Sequence, residues 1–277
     1  MIERDLLERV YFDVFEGEKT EGFKTGFNDL DDILSNVPKG SLITIGGRPA
    51  IGKTTLITSI IENIVKSGKR ILLISLKDSK IKITTKFLKQ FAEIKYPINN
   101  IRYLKADEAI KLTEVFNDLF SYDICIDDSA NTIDKIEETI KDIKADYIFI
   151  DDLQSIKTND NKFRIEEMNR IVLRFKEIAK EYDAYIILSS QLSRNVEKRN
   201  SHYPSLCDIK ETDNLEYVSD LILFLYREDY YNLEDTENRN NAEICIAKNN
   251  YGANCFINLI FEPSIPKFYS KENINVF

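Results

Sequence analysis

The residues Gly47-Arg48-Pro49-Ala50-Ile51-Gly52-Lys53-Thr54-Thr55 carry the clearest chemistry in the chain. They fit the spacing G-x-x-x-x-G-K-[ST] in full. Backbone N–H groups of such a loop converge on phosphate oxygens, and glycines let the backbone come close. A lysine in the position of Lys53 reaches the outer phosphates of a nucleoside triphosphate, and a hydroxyl in the position of Thr54 ligates Mg²⁺. The loop lies between the apolar run Ser41–Gly46 and a helical pattern over 53–66, and the start of that helix adds favourable partial charge for an anion. ATP and Mg²⁺ are therefore the expected cofactors, with residues 47–55 as the binding loop. The metal needs a partner acid at the end of another apolar strand. Two segments offer one: "DYIFIDD", ending at Asp151 and Asp152, and "DICIDD" at 123–128. Order alone does not choose between them, although the long helix and the "IILSSQ" strand that follow favour Asp151.

The elements that must position these groups follow from periodicity. Strands are expected at "SLITIG", "RILLISL", "YDICIDD", "DYIFIDD", "AYIILSS" and "DLILFLY", and helices over 53–66, 80–95, 107–120, 132–144 and 164–181. The apolar stripes are Ile133, Ile136, Ile140 and Ile143 in one helix, and Ile165, Met168, Ile171, Val172, Phe175 and Ile178 in another. Near-continuous apolar strands alternating with helices predict an α/β fold with a mostly parallel sheet covered on both faces. "AEICIAKNNYGANCFINLIFE" predicts a terminal antiparallel hairpin turning near Asn249–Gly252, and "REDYYNLEDTENRNN" a surface loop. Residues 1–16 predict a short amphipathic helix with Leu6, Leu7, Val10 and Val14 on one face, joined by a Gly-containing linker to a domain spanning 23–277.

Composition sets the bounds. The chain has 277 residues, 43% hydrophobic and 31% charged, as in an ordinary globular protein. No apolar run is long enough for a membrane helix, and no secretory signal is expected at the N-terminus. Cys125, Cys207, Cys245 and Cys255 show no C-x-x-C spacing, and His202 is the only histidine, so free thiols in a reducing cytoplasm are expected and zinc is not. The net charge of −9 argues against a broad nucleic-acid face, so any DNA contact must come from local basic residues.

Several segments, in order, resemble the C-terminal motor domain of DnaB-type replicative DNA helicases, a RecA-like P-loop NTPase fold that works as a hexameric ring. They are "TGFNDLDDIL", "GGRPAIGKTT", "CIDDS", "IFIDDLQSI", "ILSSQLSRNVEKR", "DIKETDNLEYVSDLILFLYRED" and "IAKNNYGANCFINLIF", covering about residues 20–270. The resemblance implies single-stranded DNA as a partner, assembly into a homo-oligomeric ring or with another helicase, and a γ-phosphate-sensing role for Gln191. It implies a DNA-facing loop that contains Lys210; Arg194, Lys198 and Arg199 make the adjacent segment basic, as a DNA contact or as a solvated loop. The family's N-terminal collar is not expected, and the helix over 1–16 resembles the linker helix that packs on an adjacent subunit, with packing back onto its own domain as the alternative.

Three positions depart from that family pattern. The family ends its second strand in Ser-Leu-Glu, with the glutamate as catalytic base; this chain has Ser75-Leu76-Lys77. A charged ammonium cannot accept a proton, but Lys77 could sit against a γ-phosphate. Asp152 and Asp78 are the alternative acids. The family's last hairpin carries Lys-x-Arg toward the neighbour's nucleotide; here it reads Lys248-Asn249-Asn250, without an arginine finger of the kind worth about 10³–10⁵ in rate elsewhere. The DNA-facing loop reads Asp208-Ile209-Lys210-Glu211-Thr212-Asp213, with lysine for arginine and aspartate for glycine. Three functions stay open from sequence: a ring helicase with weak or absent hydrolysis, a non-catalytic nucleotide-binding regulator of a replication helicase, and another RecA-like ATPase.

Overall fold

A computed structural model describes residues 22–95, 104–158, 164–199, 201–210, 214–232 and 239–271. The amphipathic stripe Leu6–Val14 lies outside the described residues, as do Glu211, Thr212 and Asp213. Among the described residues, no helix is long and apolar enough to cross a membrane.

The strands are β1 (Leu42–Gly47), β2 (Ile71–Ser75), β3 (Ile124–Asp127), β4 (Tyr147–Asp151), β5 (Tyr185–Gln191), β6 (Leu221–Arg227), β7 (Asn241–Asn249), β8 (Phe256–Glu262) and β9 (Lys267–Ser270). They form one sheet in the order β3-β2-β4-β5-β1-β6-β7-β8-β9. Pairing is parallel from β3 through β6 and antiparallel from β6 to β9. The expected hairpin is β7–β8. Neither β9 nor its pairing with β8 was anticipated, because "KFYS" is too short to carry a period.

The helices are α1 (Asn28–Leu34), α2 (Lys53–Val65), α3 (Lys80–Phe91), α4 (Ala106–Ser121), α5 (Ile133–Ile143), α6 (Arg164–Glu181), α7 (Asn214–Val218) and α8 (Glu228–Tyr231). Successive strand residues alternate faces, and β4 shows the consequence. Tyr147 and Phe149 join a core with α1, α2 and α3, while Ile148 and Ile150 join a second core with α5 and α6. The apolar runs are continuous because both faces are buried. Phe23 already belongs to the first core, packed on Tyr147 and Tyr185 at ring distances of 5.8 and 5.2 Å.

Some sequence expectations need correction. The helix expected over 80–95 stops at Phe91, with Ala92 capping it through its N–H to the Leu88 and Gln90 carbonyls. In α6, Ile165 is 56% exposed, because it precedes the first turn that meets the sheet; Met168 through Ala179 supply the buried stripe. "EDYY", expected in a surface loop, forms α8, with Tyr230 and Tyr231 packed against the first core.

Strand β9 is fastened to α2 by charge. The Lys267 ammonium lies 2.7 Å from Glu62 Oε1, with the two side chains only 10% and 3% exposed. Removing one partner of such a buried pair strands the other charge. Lys267→Met is expected to lower unfolding stability by about 3–5 kcal/mol in a urea titration. A loss under about 1 kcal/mol would show that β9 is not part of the cooperative core.

Candidate functional site

Register brings the site together at the carboxyl edge of the sheet, where open α/β sheets bind ligands. Gly47 at the end of β1 pairs with Gln191 at the end of β5, and Asp151 at the end of β4 pairs with Ser75 of β2. The loop 47–55 therefore leaves β1 beside the tips of β4 and β5. Two glycines, one within the loop and one just before it, bind the sequence to this geometry. Gly52, at φ +116°, starts α2 in a conformation that L side chains rarely adopt, and a Cβ on Gly46 would lie 2.6 Å from the Phe224 ring.

Lys53 folds back over the loop, donating to the carbonyls of Gly47 at 2.8 Å and Arg48 at 3.0 Å. Burial pushes its ammonium down to about 8, against an opposing pull from Asp151. Thr54 Oγ1 donates to Asp151 Oδ2 at 2.5 Å. A hydroxyl and a carboxylate in contact at the start of the helix are hard oxygen donors of the kind Mg²⁺ takes, with phosphate oxygens and water completing the shell. The metal would supply charge neutralisation to the phosphates; this chain's part is to hold the two oxygens together. Pro49, Ala50 and Ile51 cross the loop's tip, and Thr55 continues α2, its carbonyl accepting from Thr58 at 3.0 Å.

The competing acids go elsewhere. Asp127 ends the edge strand β3 and spends its carboxylate on Ser129, Ala130 and Thr139, which hold it below its ordinary range despite burial. Asp78 is turned onto α3, where it accepts from Lys82 at 2.5 Å and Lys86 at 2.7 Å. The structure thus joins Asp151, and not Asp127, to the phosphate loop.

Asp152 is fully buried. Its Oδ2 is paired with the Lys77 ammonium and accepts from Gln191 Nε2 at 2.7 Å, while Ser155 Oγ donates to Oδ1 at 2.6 Å. Burial works to raise its carboxyl, but the bonds from Lys77, Ser155 and Gln191 together hold it below the ordinary aspartate range. Lys77 therefore points into the site and onto an acid, while remaining 46% exposed. Gln154, which the sequence offered only as part of "DDLQ", locks the same corner. Its Oε1 accepts from Gln191 N at 3.0 Å and its Nε2 donates to Ser190 Oγ at 3.0 Å.

Three expected site residues have side chains bonded within their own chain. The Arg48 guanidinium turns away from the loop's interior and donates to the Leu192 carbonyl at 2.7 Å and to Glu197 at 2.7 and 2.9 Å. Its own carbonyl is what faces Lys53, so its contribution to the loop is backbone. Arg199 is absorbed by its own segment, through Asp208 at 2.5 Å, the Tyr203 carbonyl at 2.9 Å and Ser205 at 3.1 Å. Lys248 donates to the carbonyls of Glu216 at 2.8 Å and Tyr217 at 3.2 Å in α7, and burial lowers its ammonium. Arg194 and Lys198 are exposed in the 3₁₀ turn Arg194–Lys198, and Lys210 is exposed beyond it. Arg227 and Tyr230 were missed by sequence reading; they hold the carbonyls of Ile51 and Pro49 at 3.2 and 3.0 Å.

Known proteins share both this sequence and this shape. Residues 22–270 match the family described as DnaB-like helicase C-terminal domain. A probable replicative DNA helicase of Trieres chinensis is 35% identical over 90% of this chain and 57% of its own length. The replicative DNA helicase DnaB of Geobacillus stearothermophilus is 32% identical over 97% of this chain and 62% of its own. The chain thus spans about three fifths of the length of these curated relatives. The ATPase domain of G40P superposes with a TM-score of 0.87 at 28% identity, covering 96% of this chain and 97% of that one. A DnaB-like replicative helicase, solved in a study of its interactions with primase, superposes with a TM-score of 0.87 at 27% identity, covering 98% of this chain and 67% of that one. With the RecA-like sheet order, the phosphate loop and the strand-end acids in register, the chain belongs to the DnaB-like helicase C-terminal domain family.

Proposed function

We propose that this chain is an ATP-binding motor domain of a DnaB-like replicative helicase that grips Mg²⁺-ATP and cleaves it slowly or not at all. One observation carries the reading: Lys77 is on the Asp152 carboxylate, beside a phosphate loop whose Lys53, Thr54 and Asp151 are in place. A carboxylate held low by a paired ammonium is a weak base toward water. It is also no longer repulsive toward a γ-phosphate, because the pair is neutral. Gln191 donates to the same carboxylate, which supports a γ-phosphate-sensing role for it. Lys248, bonded within its own chain, and Asn250 offer no free cation to a neighbouring nucleotide.

Single-stranded DNA is the proposed polymer ligand, through Arg194, Lys198 and Lys210, which are exposed on one segment near the loop. Arg199 serves that segment by bracing it. Assembly into a ring with its own copies, or with another helicase, in the cytoplasm, completes the reading. A second reading, a non-catalytic regulator of a replication helicase, draws on the same Lys77–Asp152 pair and differs only in a complete loss of turnover.

Calorimetric titration with Mg²⁺-ATP tests the binding site. Lys53→Ala is expected to weaken affinity by about 10- to 100-fold, the worth of a charged hydrogen bond. The free Lys53 ammonium titrates near 8, and phosphate oxygens raise it, so binding at pH 8 is expected to take up about half a proton. Uptake should vanish below pH 7, where Lys53 is already charged. Equal proton uptake at both pH values, or unchanged affinity in the variant, would remove Lys53 from the site.

The Asp152 carboxyl offers a second check, read from the ¹³C shift of labelled aspartate and assigned with Asp152→Asn. In the wild type it is expected to titrate below about 3.9, the ordinary value. Its depressed pKa contributes stability above the unfolded value, lost as pH falls through the folded one. In Lys77→Met burial dominates, so the titration should move upward. An unmoved titration would show that Lys77 does not hold the acid.

A further inference from the structure

The phosphate loop is tied, on two sides, to the segment that follows β5. On one side the tie is direct. Arg48, only 7% exposed at its side chain, donates to the Leu192 carbonyl at 2.7 Å and to Glu197 at 2.7 and 2.9 Å. The Leu192 N–H in turn donates to the Gly47 carbonyl at 3.2 Å. On the other side the tie runs through α8. Tyr230 donates to the Pro49 carbonyl, and its neighbour Tyr231 stacks on His202 with ring centres 4.5 Å apart and planes 3° from parallel. Tyr226 stacks on Tyr203 at 4.1 Å.

That segment is internally braced. Leu192 bridges Ile209, the Ser193 N–H donates to the Asp208 carbonyl at 2.7 Å, and Arg199 pairs with Asp208. Its parts therefore shift together. Arg194 and Lys198 stand outward on the turn that contains Glu197, without an ion-pair partner among the described residues. The same peptide units also carry Lys53, whose ammonium sits on the Gly47 and Arg48 carbonyls. A triphosphate competes with both carbonyls for that ammonium. Drawing the ammonium onto phosphate would release the carbonyls of the two residues that grip Leu192 and Glu197.

We infer that Arg48 and Glu197 are a positioning pair that couples nucleotide in the phosphate loop to the placement of the basic turn Arg194–Lys198, so that each ligand alters the affinity for the other. This rests on the proposed binding of nucleotide and single-stranded DNA. The Arg48 guanidinium is taken up by the Leu192 carbonyl and the Glu197 carboxylate, on the side of the loop away from Lys53. A guanidinium fork on a carboxylate fixes orientation as well as distance, which is what a coupling element between two loops needs. Coupling of this kind is reciprocal and amounts to about 5- to 150-fold in affinity.

The test uses the full chain, a fluorescent oligothymidylate and a non-hydrolysable ATP analogue with Mg²⁺. Oligonucleotide affinity is measured by anisotropy with and without saturating analogue, and analogue affinity by calorimetry without DNA. In the wild type the two oligonucleotide affinities are expected to differ by about fivefold or more. In Glu197→Ala they should agree within about twofold, with analogue affinity unchanged. Removing a negative charge next to Arg194 and Lys198 strengthens DNA binding equally in both states, so a merely electrostatic role leaves the ratio intact. The double variant with Arg48→Lys should lose no more coupling than either single one, because both break one contact. Wild-type coupling retained in Glu197→Ala overturns the inference, as does an uncoupled wild type that binds both ligands. A wild type that binds no analogue or no oligonucleotide overturns the functional reading itself, and the inference with it.

Discussion

A buried carboxylate is the constraint around which this site is built. Asp152 has no access to solvent, so its charge must be met within the protein. Three groups do so from three places: Lys77 just past β2, Ser155 in the turn after β4, and Gln191 at the end of β5. Satisfying that one acid draws together the tips of neighbouring parallel strands. Gln154 closes the same corner from the other side through Ser190 and the Gln191 N–H. Asp151, one residue earlier, is left for Thr54.

The same arrangement sets the electrostatics of the phosphate loop. Two acids and two ammonium groups stand around it, and each acid is engaged: Asp151 with a hydroxyl, Asp152 with a cation and two neutral donors. A polyanion meets a site whose negative charge is largely balanced, together with the Lys53 ammonium. This favours holding a triphosphate. Activating water is a different demand, since it needs an acid free to accept a proton, and Asp152 is held below its ordinary range. On the function proposed above, grip and cleavage are separable properties, and the Lys77–Asp152 pair is what separates them.

Much of this was legible in the sequence, for reasons that are physical. The strands of the parallel sheet read clearly because burial on both faces demands unbroken apolar runs such as "YIFI". The loop read clearly because its glycines and Lys-Thr have fixed tasks. Choosing between Asp151 and Asp127 needed sheet order, which puts β3 at the edge and β4 beside β5. Arg48 was legible as part of the phosphate loop, but not the destination of its side chain, which answers to Glu197, nearly 150 residues away, and which no local pattern encodes. Arg199 was legible as basic but not as spoken for by Asp208. Strand β9 was not legible because "KFYS" is too short to carry a period, and its tie from Lys267 to Glu62 crosses the fold.

The central claim is that the site holds ATP better than it cleaves it because Lys77 occupies Asp152. Single-turnover hydrolysis of pre-bound radiolabelled ATP, with single-stranded DNA present, measures this directly in the wild type and in Lys77→Glu. The account predicts that wild-type ATP leaves largely intact, and that Lys77→Glu, which frees Asp152 and adds an acid, cleaves it faster. Rapid DNA-stimulated cleavage by the wild type, slowed by Lys77→Glu, would contradict it.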